Sequence, residues 1–280
     1  MDPILPPELE REIFELAARQ DQSIALTLLT VCHRVHSWVE PLLYRVLLVS
    51  GYLAPALLAL KLKPAAFKKT AVRHVFIESY KGEIQAQDLL AELTGIESLV
   101  IDGYDTEELL PALDTMHIRK LNLCLPGRGL TVSEWARVTL SRSVFLTVTH
   151  LELFYEPDDE EPLSWEDWST LASLPTLTHL CLSSDLADGI FQPAVKNCQS
   201  IQVLIAGFWD SYLRDDAIEF VENLVVKDSR VVVMIIPGPT FKQDWVLGAR
   251  GGNDFWARAE AFLAGKRRGE IDSSVFLLDK

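Results

Sequence analysis

The sequence predicts an α/β protein: a short helical module followed by an irregular solenoid built on a parallel sheet. Three observations point there. The first forty-odd residues place apolar side chains at helical spacing. Short runs of alternating apolar residues then recur seven times. The intervals between them are long enough to carry the chain from one parallel strand to the next. The expected divisions are a helical module over 1–47, the repeat over 48–236, and a linker with a capping helix over 237–280.

The module comes first. Pro6 and Pro7 suit a helix start, where a missing N–H costs nothing. Glu8, Glu10 and Glu12 load the first turns with charge that complements the helix dipole. Leu9, Ile13, Leu16 and Ala17 fall on one face, and Phe14 widens it. Asp21-Gln22-Ser23 interrupts this helix and caps the next. Ala25, Leu28, Leu29, Cys32, Val35 and Val39 then repeat at helical spacing, and Pro41 restarts the chain. A unit of this size is marginal alone. Leu5, Leu9, Ile13, Phe14, Leu28, Val31, Trp38 and Leu43 also spread over more than one face. The surplus either packs on the rest of the chain or binds a helical partner.

These residues carry a family resemblance. Leu5-Pro6-Pro7-Glu8-Leu9 through Ile13-Phe14 resembles the opening of an F-box, LPxELxxxIF. Leu28-Leu29-Thr30-Val31-Cys32-His33-Arg34 resembles its LxxVCxxW segment, and Val39-Glu40-Pro41-Leu42-Leu43-Tyr44-Arg45 its closing VxPxLYR. The three stand in the family's order, over about the first 47 residues, and are most similar to F-box-like proteins of fungi. The family's aromatic after the VC pair is displaced: His36 lies nearby and Trp38 follows later. The resemblance implies docking to the Skp-family adaptor of a cullin–RING ubiquitin ligase, through Leu5, Pro6, Leu9, Ile13, Phe14, Leu28, Val31, Cys32 and Leu43.

The repeat follows. Its strands centre on Val75-Phe76-Ile77, Leu99-Val100-Ile101, Leu121-Asn122-Leu123, Leu151-Glu152-Leu153, Leu180-Cys181-Leu182, Val203-Leu204-Ile205 and Val233-Met234-Ile235. Taking Phe76, Leu99, Leu121, Leu151, Leu180, Leu204 and Met234 as equivalent inward positions gives steps of about 22 to 30 residues. Helical patterns at 87–93, 107–113 and 168–174 each end on a leucine shortly before a strand. The LNL, LEL and LCL cores resemble leucine-rich repeats, although the asparagine expected a few positions later is missing after Leu123. An irregular leucine-rich-repeat solenoid is therefore expected. The competing reading, a doubly wound sheet, lacks a GxGxxG after any strand.

Period-two alternation assigns Leu99/Ile101, Leu121/Leu123, Leu151/Leu153 and Leu180/Leu182 to the core. It sends Val100, Asp102, Asn122, His150, Glu152, Phe154 and His179 to the opposite face, expected to be open and available to a target protein. A solvated face covered by local loops is the alternative.

The acidic run 155–162 reads as a rim loop, and Trp165 and Trp168 as inward-facing aromatics. Gly248-Ala249-Arg250-Gly251-Gly252-Asn253 reads as a linker, since it lacks the Lys-Ser/Thr of a phosphate loop. Residues 254–263 read as a helix capping the last repeat, with Phe255, Ala259 and Phe262 on one side. Lys266-Arg267-Arg268 is a short basic cluster, compatible with a nuclear address but weak evidence for one.

Composition bounds the function. A net charge of -14 repels phosphate backbones and speaks against nucleic acid. The apolar stretches are short and broken, so no membrane span is expected, and the N-terminus has no basic region of a secretory signal. Cys32, Cys124, Cys181 and Cys198 form no CxxC pair, which suggests a reducing compartment, cytoplasm or nucleus. No GxSxG or HExxH motif is present, so no catalytic residue and no cofactor are expected. His150, His179 and Cys181 share a face and make a metal site conceivable, but none is expected. The expected function is a substrate-receptor adaptor. A repeat protein whose N-terminal helices only cap the solenoid is the alternative, and an unrecognised α/β enzyme a distant third.

Overall fold

The computed structural model describes residues 5–20, 22–49, 55–78, 86–103, 106–125, 131–155, 163–209, 213–225, 227–236 and 238–279. Three helices open the chain: α1 (Pro7–Gln20), α2 (Gln22–Leu28) and α3 (His33–Leu43). The apolar stripes of α1 and α3 meet around Ala18, Ala25, Val35 and Val39, with Phe14, Leu28, Leu29, Trp38, Leu42 and Leu43 packed against them. Pro41 does not start a new helix; it lies inside α3. The break falls earlier, at 29–32, where Cys32 is extended and precedes the first turn of α3.

Beyond the module runs a nine-stranded sheet, parallel throughout, whose strands lie in sequence order. The strands are β1 (Val46–Val49), β2 (His74–Glu78), β3 (Ser98–Asp102), β4 (Lys120–Cys124), β5 (His150–Phe154), β6 (His179–Ser183), β7 (Val203–Phe208), β8 (Val231–Ile235) and β9 (Leu277–Leu278). The expected parallel α/β sheet is therefore present, two strands longer than the seven read from sequence.

The crossovers are α4 (Pro55–Lys61), α5 (Ala65–Ala71), α6 (Ala86–Glu92), α7 (Thr106–Leu113), α8 (Val132–Thr139), α9 (Trp165–Trp168), α10 (Ser184–Asn197) and α11 (Arg214–Glu222), with 3₁₀ turns at 143–146 and 169–173. They bury one sheet face in a continuous core. Trp135 of α8 and Trp168 of α9 are fully enclosed there, with ring centroids 6.3 Å apart. Trp165 is partly buried against the same core. The acidic run leaves only Tyr155 among the described residues; Tyr155 is buried, and its N–H donates to Ser183 Oγ at 3.0 Å.

Register fixes the core positions. Leu47, Val75, Leu99, Leu121, Leu151, Leu180, Leu204 and Val231 are equivalent. The expected assignments of Phe76 and Met234 to this row are corrected: Phe76 pairs with Val100, and Met234 with Gly207 and Leu278, on the other face. Both faces of β2 and β8 are apolar because both are buried, so alternation there carries no phase.

The turn before β3 needs a glycine. A Cβ on Gly95 would lie 1.8 Å from the carbonyl oxygen of Lys69, which is backbone and cannot swing away. Gly95→Ala is expected to lower stability by about 1–3 kcal/mol through overpacking. A urea midpoint equal to wild type would contradict that contact.

The C-terminal region departs from expectation. Gly248 and Ala249 belong not to a linker but to α12 (Phe241–Ala249), and α13 (Phe255–Arg268) extends past the predicted helix to a left-handed Gly269. Nor does α13 cap the end of the sheet. It lies across the second face, where Phe255, Trp256, Ala259, Phe262 and Leu263 bury Cys181, Val203, Ile205, Val232 and Met234. Trp245 of α12 covers Phe76 and Val100. The apolar stripes on α12 and α13 match those on the face, and that complementarity outcompetes an end-on position. The sheet's last edge is instead taken by β9.

Candidate functional site

Two regions carry surfaces that a core does not explain. The first is the outer side of the N-terminal module. Leu5, two residues before α1, and Leu9, Ile13 and Leu16 along it remain 50%, 48%, 54% and 57% exposed. Leu26 and Val31 are exposed on neighbouring turns. Pro6 and Cys32 are exposed as well. Phe14, Leu28 and Leu43 instead turn inward and are half-buried in the module's own core. The nine residues selected from sequence thus divide into an outer group of six and an inner group of three. Leu16 and Leu26 were missed. Leu16 had been assigned to the same helical face as Leu9 and Ile13, a signal that already pointed to it.

The second region is the centre of the covered sheet face. Of the residues expected on an open face, Val100, Asn122, Glu152 and His179 are buried, His150 and Phe154 are half-buried, and Asp102 is exposed. The face is therefore not open, because α12 and α13 close over it. Val100 packs under Trp245, and Phe154 meets Trp209 edge-on at 5.4 Å. Between the two helices and the strands is a polar island around a cavity of about 80 Å³, lined by His74, Lys120, Asn122, His150, Glu152, Asp254 and Trp256 among others.

The island is chemically unusual. Glu152 pairs in register with Asn122 on one side and Cys181 on the other. Desolvation pushes its carboxyl up to about 8, with Asp244 and Asp254 adding to the effect against a hydrogen bond from Asn122. Glu152 is therefore largely protonated at neutral pH, and its Oε1 has no hydrogen-bond partner among the described residues. The same holds for both ring nitrogens of His74, which burial and the nearby Arg45, Lys120 and Arg73 lower to about 4. Burial also pushes the Cys181 thiol well up, which removes it from thiolate chemistry.

His150 and His179, in register on β5 and β6, stack with ring centroids 4.0 Å apart and planes 8° apart. Trp256 stands edge-on to both. Burial lowers His150 to about 2, helped by His179 and Lys120. His179 is lowered by burial against an opposing pull from Glu260. Each ring Nδ1 meets the hydroxyl of the preceding threonine, Thr149 at 2.9 Å and Thr178 at 2.8 Å. On the far side, His179 Nε2 lies 2.9 Å from Glu260 Oε1 of α13. Lys120 reaches Asp254 at 3.5 Å, and Asp254 also caps α13 by accepting from the Ala257 N–H at 2.9 Å.

Sequence reading missed Glu260, Asp254, Trp256 and the two threonines. The repeated Thr-His pair at 149–150 and 178–179 was a visible signal. Glu260 gave none, because only the docking of α13 brings it to the strands.

No protein-family model matches the chain, and no curated protein shows significant similarity to it. No helix among the described residues is long and apolar enough to cross a membrane.

Proposed function

We propose that this chain is a non-catalytic substrate-receptor adaptor of a Skp–cullin–F-box ubiquitin ligase, with its N-terminal module docking to the Skp-family adaptor. The observation that carries the reading is the exposed apolar strip Leu5–Leu9–Ile13–Leu16, with Leu26 and Val31 beside it. Leu9, Ile13 and Leu16, left exposed among the described residues, have the i, i+4, i+7 anchors of a helix that packs on another protein, and Leu5 extends the strip before the helix. The motifs on α1 and α3 agree with it. The irregular leucine-rich-repeat solenoid belongs to the same reading, supported by strands in sequence order at steps of about 22–30 residues. The target contact then moves to the C-terminal ends of the strands, where Asp102 is exposed and Phe154 half-buried.

A second reading, in which the helices only cap the sheet, is favoured by the contacts between α3 and α5. Tyr44 meets Phe67 edge-on at 5.6 Å, and Lys63 bonds Glu40 at 2.6 Å. The two readings separate experimentally. The double variant Leu9→Asp/Ile13→Asp is expected to abolish co-elution with purified Skp-family protein while leaving the circular dichroism and urea midpoint unchanged, because both side chains are exposed. Absence of a wild-type complex at micromolar concentration would remove the adaptor reading. A loss of stability in the variant would favour the cap.

A further inference from the structure

We propose that His150, His179 and Glu260 form a binding site for a divalent first-row transition ion, Zn²⁺ foremost, which clamps α13 to β5 and β6. A ring nitrogen of each histidine and a carboxylate oxygen of Glu260 lie within 4.8 Å of one another.

The hydrogen bonds behind the rings allow Nε2 to face a cation. Thr149 Oγ lies 3.0 Å from the Arg119 carbonyl and 2.9 Å from His150 Nδ1, and Thr178 Oγ lies 3.2 Å from the Thr149 carbonyl and 2.8 Å from His179 Nδ1. When a hydroxyl gives its proton to the carbonyl, Nδ1 carries the ring proton and the neutral ring presents its Nε2 lone pair to a cation. His179 Nε2 faces a Glu260 carboxylate oxygen at 2.9 Å, a spacing that the ring's own proton fills in the other tautomer. A metal ion is a second way to join the two groups; 2.9 Å is shorter than the edge of about 3.3–3.4 Å between adjacent ligands of a tetrahedral ion with bonds of about 2.0–2.1 Å, so the pair opens by a few tenths of an ångström to admit it.

The donor set fits the ion. Two imidazoles and one carboxylate, with a fourth position for water, is a zinc-type set, and the Thr178 hydroxyl is a partner that orients the His179 imidazole. The open side adjoins a cleft lined by Gln202, Ala257, Ala261 and Arg267 alongside His179 and Glu260, which provides an entry path. The stacked rings aim their lone pairs side by side, so binding requires His150 to turn out of the stack. Glu260, with its side chain 52% exposed, is free to follow. Lys120 opposes the ion electrostatically, but its charge is partly met by Asp254.

The test uses the full chain, stripped with a chelator and titrated with Co²⁺ and then with Zn²⁺. One equivalent of Co²⁺ is expected to give visible ligand-field bands that Zn²⁺ abolishes. Glu260→Gln and His179→Gln are each expected to weaken binding at least about 100-fold, and Thr178→Val about 10-fold. Glu260 is surface-exposed, so Glu260→Gln keeps the fold, which circular dichroism in chelator verifies. Absence of stoichiometric binding at tens of micromolar metal overturns the site. So does binding of equal strength in wild type, Glu260→Gln and His179→Gln, which would place the ion elsewhere on the surface.

Discussion

Replacing Glu152 with glutamine is expected to stabilise the protein at pH 8 by on the order of 4 kcal/mol while changing little at pH 5. The unfolded carboxyl titrates near 4.5, and the folded one is held up to about 8. A raised acid contributes fully to stability below its unfolded value and loses that contribution as pH rises through the folded value. Each pH unit across that window removes about 1.4 kcal/mol. Glutamine cannot ionise, keeps the volume, and can still pair with Asn122, so the variant escapes the loss. The histidines act from the opposite side. His74 and His150 are lowered from 6.5 to about 4 and about 2, and His179 is lowered too. A depressed base is fully favourable above its unfolded value and loses stability as pH falls below it. Together the four groups place the stability optimum of the wild-type protein near 6.5, the unfolded histidine value. Urea midpoints at pH 5, 6.5 and 8, with chelator present, measure both effects. A gap between wild type and Glu152→Gln that does not widen with pH would mean that the carboxyl is solvated.

Glu152, expected on an open face and found buried, shows what the sequence can and cannot carry. Its position in a strand core, between Leu151 and Leu153, was legible because the two leucines alternate around it. The same alternation sent it to a face that reads as solvent whenever nothing nearby covers it. The cover comes from α12 and α13, about 90 to 115 residues downstream. Period-two reasoning assigns a face but not its neighbour. The strands with polar partners on one side, such as Lys120-Leu121-Asn122-Leu123, kept their phase. β2 and β8, apolar on both faces, lost it by one residue. β1 and β9 went unread for a different reason: Val46–Val49 follows directly on the helical module, and Leu277–Leu278 is only two residues long. In the module, the helical stripes were legible, and the inward turn of Phe14, Leu28 and Leu43 was not. Helical spacing gives the stripe's width but not which part of it a neighbouring helix takes.

Phe255→Ala is expected to weaken the docking of α12 and α13 by about 3–5 kcal/mol, the cost of emptying a buried aromatic site. Phe255 is buried where the two helices meet: its ring lies 4.6 Å from Trp256 and 6.4 Å from Phe241. The local hydrogen bonds would survive the change, since Asp244 accepts from the Phe255 backbone N–H at 2.8 Å and Asp254 still caps α13. What is lost is apolar contact across the face. Because α12 and α13 lie between β8 and β9 in sequence and pack on only one face of the sheet, they can open without dissolving the ladder of β3–β6 beneath. Amide exchange should therefore quicken by about 10²- to 10³-fold within α13 while the amides of β3–β6 keep their protection. Uniform quickening across sheet and helices would instead make the two helices part of the single cooperative core, and unchanged exchange in α13 would show that Phe255 does not hold them down. Opening bares Val203, Ile205, Val232 and Met234, a continuous apolar surface beside the histidine pair, so binding of a hydrophobic dye should rise with it. In the closed protein that surface is occupied by the chain's own C-terminal helices. A target recognised by the sheet must therefore either contact the strand ends around Asp102 and Phe154 or displace α13, and an ion bridging His150, His179 and Glu260 would oppose the second route.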